Sequence, residues 1–208
     1  MFSFTIFNIP VRVEPWFWVT MALLGYYAAG NDPMIFVLTF MLAGFISILV
    51  HELGHALTVR KFGYPTEITL HSFGGYATFP PNQLDRKQRF LVTAAGPGLQ
   101  IALAILLLIL DRFIPIPEGS LLARLVFYLV YVSILWAILN CLPVYPMDGG
   151  QMMAAILGPR REHLVYLISV FLAVFIGIAA FFLNLLLLPI FMALFAWQNW
   201  QLYQNTNR

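Results

Sequence analysis

Few of the 208 side chains can bind a metal or move a proton, since the chain holds only 4 His, 9 Asp and Glu together, and one Cys. Three of these groups are concentrated in FISILVHELGH, residues 45–55, at the end of an otherwise apolar run. His51-Glu52-Leu53-Gly54-His55 has the spacing H-E-x-x-H. On a helix, positions i and i+4 share a face, so both imidazoles can reach one zinc ion while the glutamate acts as base toward water activated there. A catalytic zinc takes three protein ligands and keeps one position open. Outside the motif the choice lies among His71, His163, Asp111 and Asp148. Asp148 suits best, because in NCLPVYPMDGGQ (140–151) Pro143 and Pro146 interrupt helix and Gly149-Gly150 permit turns. Non-helical backbone is tolerated at membrane depth only where it is buried in protein or lines a water cavity. The competing structural role is a cap, with Asp148 starting a helix over 149–157, and the two roles can coexist.

The elements that must position these groups are helices in a bilayer. With 61% hydrophobic and 10% charged residues, mean hydropathy +0.84 and repeated apolar stretches, the composition predicts an all-α polytopic membrane protein of about six transmembrane helices. The spans are expected at 16–30, 34–60, 89–110, 121–141, 163–183 and 185–203, the last two joined as a tight helical hairpin near Asn184. Breaks are expected at Asn31-Asp32-Pro33, from Pro80 to Arg89, from Asp111 to Gly119, and at Gly158-Pro159-Arg160-Arg161. After the second helix, residues 64–80 with Phe73-Gly74-Gly75-Tyr76 suggest short strands or a re-entrant element, and the first 14 residues alternate enough for a strand. No internal repeat or linker to a soluble domain is evident, so residues 1–208 are expected to form a single transmembrane domain.

Composition also excludes classes. A net charge of +2 with scattered basic residues gives no nucleic-acid footprint. The single Cys141 rules out an internal disulfide framework and a cysteine-based zinc ribbon. The start MFSFTIFNIPVRVEP lacks the features of a secretory signal and is expected to belong to the mature protein. Cys141 itself, His163 beside Arg160 and Arg161, and the Phe and Leu runs such as Leu106–Leu110 are expected to be packing, interfacial and lipid-facing, respectively.

Basic residues set the orientation. With both termini cytoplasmic, Arg12, Arg60, Lys61, Arg86, Lys87, Arg89, Arg160, Arg161 and Arg208 fall on the cytoplasmic side and only Arg112 and Arg124 outside. Trp16, Trp18, Trp197 and Trp200 lie at the same cytoplasmic interface. Counting back from Arg60 at about 1.5 Å per residue puts His55 roughly 8 Å and His51 roughly 14 Å from the helix end, inside a hydrocarbon core about 30 Å thick. Ionisable groups at that depth are costly unless they face a bundle interior, a partner or water, which marks a functional site near the cytoplasmic side.

At this point four ordered motifs resemble a known family. H51-E-L-G-H55, F73-G-G-Y-A77, A94-A-G-P-G98 and N140-C-L-P-V-Y-P-M-D148-G-G150 resemble the site-2 protease family of intramembrane zinc metalloproteases. In that family HExxH lies in one transmembrane helix and an Asn…Pro…Asp-Gly motif in a later one. The Gly-rich segment follows the first helix, and the Ala-Gly-Pro element opens the next. The resemblance implies a catalytic core of about 34–158, one Zn2+ per chain held by His51, His55 and Asp148, Glu52 as the acid and base, and Asn140 steadying the scissile carbonyl or its oxyanion. Without the family, Asn140 reads equally well as an interhelical hydrogen-bonding residue. Relatives often place an Asn soon after the Ala-Gly-Pro element, whereas this chain has Gln100. There is no room for the PDZ or CBS domains many relatives carry, so regulation by such modules is not expected.

The activity so implied is regulated intramembrane proteolysis of a transmembrane protein or peptide substrate, in a lipid bilayer. A helical substrate must unwind to expose its peptide bonds, and Phe73, Gly74, Gly75 and Tyr76 are the expected substrate-binding strand edge, with a packed re-entrant loop as the alternative. From another class, a zinc-binding transporter or a non-proteolytic metal-dependent scaffold also accommodates the ligands. The outer half offers no second ligand cluster, which disfavours transport. Substrate identity and oligomeric state are not written in these residues.

Overall fold

The computed structural model describes residues 1–29, 34–78, 83–114, 116–185 and 187–206. The expected break at Asn31-Asp32-Pro33, the start of the one expected at Pro80, and Arg208 of the charge count lie outside the described residues. In chain order the elements are β1 (Phe2–Ile6), β2 (Ile9–Val13), α1 (Pro15–Ala29), α2 (Met34–Lys61), β3 (Glu67–His71), β4 (Gly74–Thr78), α3 (Arg86–Phe113), α4 (Leu121–Asn140), α5 (Asp148–Leu157), a 3-10 turn (Pro159–Arg161), α6 (Glu162–Phe182) and α7 (Leu187–Thr206).

Four stretches, α2, α3, α4 and Pro159–Phe182, are long and apolar enough to cross a membrane, and the chain is an integral membrane protein. The helices α1 and α7 fall short of that standard. With 15 residues, α1 reaches only about 22 Å against a core of about 30 Å. The C-terminal part of α7 carries Gln198, Asn199, Gln201, Gln204 and Asn205. Leu106, Leu108, Ile109 and Leu110 are all exposed on α3, as lipid-facing side chains should be.

The fold is helical with a small mixed sheet rather than purely α. Its strand order is β1-β2-β3-β4, with β1–β2 and β3–β4 antiparallel and β2–β3 parallel. A parallel pair needs a long crossover, which α1 and α2 supply. The N-terminus holds two strands where one was expected, because Phe7 and Asn8 both take left-handed φ (48° and 58°) and close a two-residue turn between Ile6 and Ile9. Alternation along β2 buries Ile9, Val11 and Val13 and leaves Pro10 and Arg12 outside. Those side chains, with Ile68 and Leu70, form one core with Phe17 and Met21 of α1 and Ile48, Leu49, Leu53 and Ala56 of α2. The sheet is thereby fixed against the very turns of α2 that carry His51 and Glu52.

The chain forms two compact units, residues 1–83 with 95–138, and 84–94 with 139–208. The first contains the sheet, α1, α2 and most of α3 and α4, with Phe40, Ala43, Tyr128, Leu129 and Val132 packed together. The second contains the start of α3, the loop after α4, and α5 to α7, built around Val144, Ala173, Met192 and Ala196. Asn184, at φ 56°, ends α6 before α7 and makes the expected hairpin.

Helix α3 begins earlier than expected. The Gln88 N–H donates to Asp85 Oδ1 at 2.8 Å and the Asp85 N–H donates to Gln88 Oε1 at 3.0 Å, a reciprocal cap that starts the helix at Arg86. The Ala-Gly-Pro element therefore lies inside α3, with Pro97 in its interior, and does not open it.

Candidate metal centre

His51, Glu52 and His55 stand on one buried stretch of α2, exposed by only 3%, 3% and 8%. The two imidazoles meet edge to face, with their Nε2 atoms 3.1 Å apart. A network behind His51 decides which of its nitrogens carries the proton. Gln100 Nε2 donates to Ser47 Oγ at 2.8 Å and lies 3.3 Å from the Ser47 carbonyl, which can only accept. That carbonyl turns the amide so that Gln100 Oε1 faces His51 Nδ1, at 3.0 Å. Oε1 is itself only an acceptor, so Nδ1 carries the proton and Nε2 presents its lone pair toward His55. The Ser47 hydroxyl continues the line to Ser133 on α4, at 2.8 Å. An imidazole whose second nitrogen is tied to an acceptor is the usual state of a metal-bound histidine. The Nε2 atoms of His51 and His55, converging in a buried place, fit zinc in donor type, and His51 fits it in tautomer as well.

Glycines let the neighbours close on this pair. A Cβ on Gly54 would run into the Ala95 carbonyl, and one on Gly96 would run into the His55 ring. Gly96 thereby lets α3 close on α2, whereas a Cβ on Gly98 would meet nothing within 4 Å. Gly75 of β4 sits against Glu52, since a Cβ there would lie 2.6 Å from Glu52 Cγ and 2.8 Å from its Oε1. Phe73 and Tyr76 are exposed while Gly74 is buried, with a Cβ on Gly74 2.8 Å from the Trp136 ring. Among the described residues no strand pairs with the outer side of β4.

His71, at the end of β3, does not join the pair. Its Nδ1 accepts the Phe73 N–H at 3.3 Å, and its ring packs on Tyr76. Burial pulls its pKa below the ordinary imidazole value, and the nearby Glu14 carboxylate offsets part of that.

Asp148 and Asn140 belong to the second unit. Asp148 is buried, 7% exposed, and is the first residue of α5, whose cap position is Met147. It is therefore not the cap, although an acidic group in a first turn favours the helix dipole. Gly149 and Gly150 have no room for a Cβ, which would meet the Cys141 and Leu142 carbonyls and the Tyr145 backbone. The far end of α5 is capped by Arg86, whose guanidinium donates to the Ala155 carbonyl at 2.9 Å and to that of Ile156. Asn140 ends α4 and is half-buried. Cys141, expected to pack, is exposed. Gln100 is the residue that sequence reasoning left without a role.

Comparison with known proteins bears on this geometry. The model of peptidase family M50 matches residues 39–117 and 114–184, a range that takes in HELGH, Gln100, Asn140 and Asp148. This chain belongs to peptidase family M50. The M50 chain is 28% identical over 162 residues to a protein named zinc metalloprotease MJ0392 of Methanocaldococcus jannaschii, covering 77% of this chain and 46% of that protein. A Synechocystis relative is 31% identical over 163 residues, covering 73% of this chain and 42% of its own. The chain thus spans less than half the length of these curated relatives. Among solved structures it resembles the site-2 protease from Methanocaldococcus jannaschii, with a TM-score of 0.69 at 23% identity, over 97% of this chain and 95% of that one. The four ordered motifs therefore pointed to the right family, and the shared fold agrees.

Proposed function

We propose that this M50 chain is a membrane-embedded zinc endopeptidase that hydrolyses peptide bonds within or near transmembrane segments of other proteins, in regulated intramembrane proteolysis. The observation that carries the reading is the buried His51–His55 pair, its Nε2 atoms 3.1 Å apart and the His51 tautomer set by Gln100, with Glu52 on the same stretch of helix. His51, His55 and Asp148 hold one zinc per chain. Zinc there supplies a Lewis acid that lowers the pKa of water to about 7 and polarises a carbonyl. Glu52 takes the proton from the attacking water and returns it to the leaving amine. Asn140 donates its amide N–H to the scissile carbonyl oxygen as negative charge develops on it.

The substrate enters unwound. The outer edge of β4, with Gly74, Gly75 and Tyr76 and with Phe73 in the turn before it, offers backbone groups to an extended segment, and Gly75 brings that edge against Glu52. The chain acts as one transmembrane domain with its catalytic core at about 34–158. It spans the bilayer about six times, α1 and α7 adding to the four long helices, with both termini and the site toward the cytoplasm. The charge distribution and the Trp positions support that orientation.

The test is incubation of the purified protein with a single-span substrate, comparing wild type, Glu52→Gln and a zinc chelator. Glu52→Gln should retain zinc and lose cleavage by about 10²–10⁴-fold. Undiminished cleavage by Glu52→Gln would overturn the mechanism, and zinc flux in liposomes without cleavage would establish the transporter instead.

A further inference from the structure

The loop that leads into Asp148 is held by two polar side chains of α6 and α7 that lie outside every motif in the sequence. The Tyr145 N–H donates to Ser169 Oγ of α6 at 3.0 Å. The Tyr145 carbonyl accepts from Asn199 Nδ2 of α7, which also donates to the Phe195 carbonyl at 2.7 Å. Both bonds of Asn199 go to carbonyls, so its amide can stand only one way round. Ser169 and Asn199 are each 0% exposed, and each faces the inside of the unit rather than its surface. A polar group in such surroundings is costly unless it has a specific partner. Here one peptide unit is gripped at both its N–H and its C=O.

That grip continues to Asp148 without slack. Val144 is buried among Ala173, Met192 and Ala196. Gln151 Nε2 donates to the Pro146 carbonyl at 2.9 Å, tying the loop to α5. The absence of Cβ atoms at Gly149 and Gly150 lets the first turn of α5 lie directly on the loop backbone. A shift of the Tyr145 peptide therefore carries the Asp148 carboxylate with it.

We infer that Ser169 and Asn199 are positioning residues for Asp148, so that α6 and α7 set where this carboxylate stands. The inference rests on the reading of Asp148 as the third zinc ligand. Partners that orient metal ligands typically contribute 10–100-fold to affinity.

The test is zinc affinity of the full chain in detergent, read by competition with a chromophoric chelator, with helical circular dichroism and gel-filtration profile as checks of folding. Ser169→Ala removes one hydroxyl and is the mild variant; Asn199→Leu is the stronger one; Gln198→Leu, on an exposed position of α7, is the control. Ser169→Ala and Asn199→Leu should weaken zinc binding about tenfold or more, while Gln198→Leu leaves it unchanged. In an Asp148→Asn background neither should lower affinity further, an outcome that general loosening of the fold would not produce. Wild-type affinity in folded Ser169→Ala, or an undiminished effect in the Asp148→Asn background, overturns the inference while leaving the ligand assignment intact. Wild-type affinity in Asp148→Asn alone overturns the assignment and the inference with it.

Discussion

A histidine offers a metal one lone pair, and which nitrogen carries it is decided by what the other nitrogen touches. In this chain the decision for His51 is made by Gln100, 49 residues away, and for Gln100 by the Ser47 carbonyl. Gln100→Leu should therefore lower zinc affinity about 10–100-fold with the fold retained, as measured by chelator competition. His51, Glu52 and His55 were legible in the sequence because their spacing alone puts them on one helical face. Gln100 was not, because a partner from another helix has no local spacing to betray it; its only signal is the Ala-Gly-Pro element that ends three residues earlier. His71 makes a second case, since its Nδ1 must stay unprotonated to accept the Phe73 N–H. Its folded pKa is lowered, so the folded state binds fewer protons than the unfolded one just below pH 6.5. Stability should hold above that pH and decline as pH falls toward the lowered folded value. Replacing His71 with Gln, which keeps an acceptor, should flatten the dependence of melting temperature on pH between about 7.5 and 5.

Between elements, glycine spacing governs how closely α2, α3 and β4 approach. Gly96 and Gly98 are two residues apart on α3, yet a Cβ on the first would strike His55 and one on the second meets nothing within 4 Å. Gly96→Ala should lose about 1–3 kcal/mol and most of the zinc affinity by overpacking, whereas Gly98→Ala should be neutral or stabilising by up to about 1 kcal/mol. Thermal melts and zinc titrations of the pair check this. Hydropathy located α2, α4 and the α6–α7 hairpin to within a few residues. It missed the first turn of α3 because Arg86, Lys87 and Arg89 are polar; the helix is started there by the Asp85–Gln88 cap, a pattern visible in the sequence that carries no hydrophobic signal. The hairpin at the N-terminus was half legible, since Asn8 is a common left-handed residue and Phe7 is not.

For the molecule as a whole, the proposed orientation rests on charge that no packing dictates. In a Cys141→Ser background, Lys61→Cys should react with a membrane-impermeant thiol reagent only from the cytoplasmic face and Glu118→Cys only from the opposite face. The reverse pattern would invert the topology and move the site to the outer leaflet. What the whole molecule releases should also bear the mark of one small element. β4 is a strand of five residues with an outer side that no described strand covers. A chain laid along it repeats its side-chain facing every second residue. Slippage by one residue exchanges the faces and slippage by two restores them. Secondary cuts should then fall two residues from the main one, so that mass spectrometry of the products shows a dipeptide ladder rather than single-residue trimming.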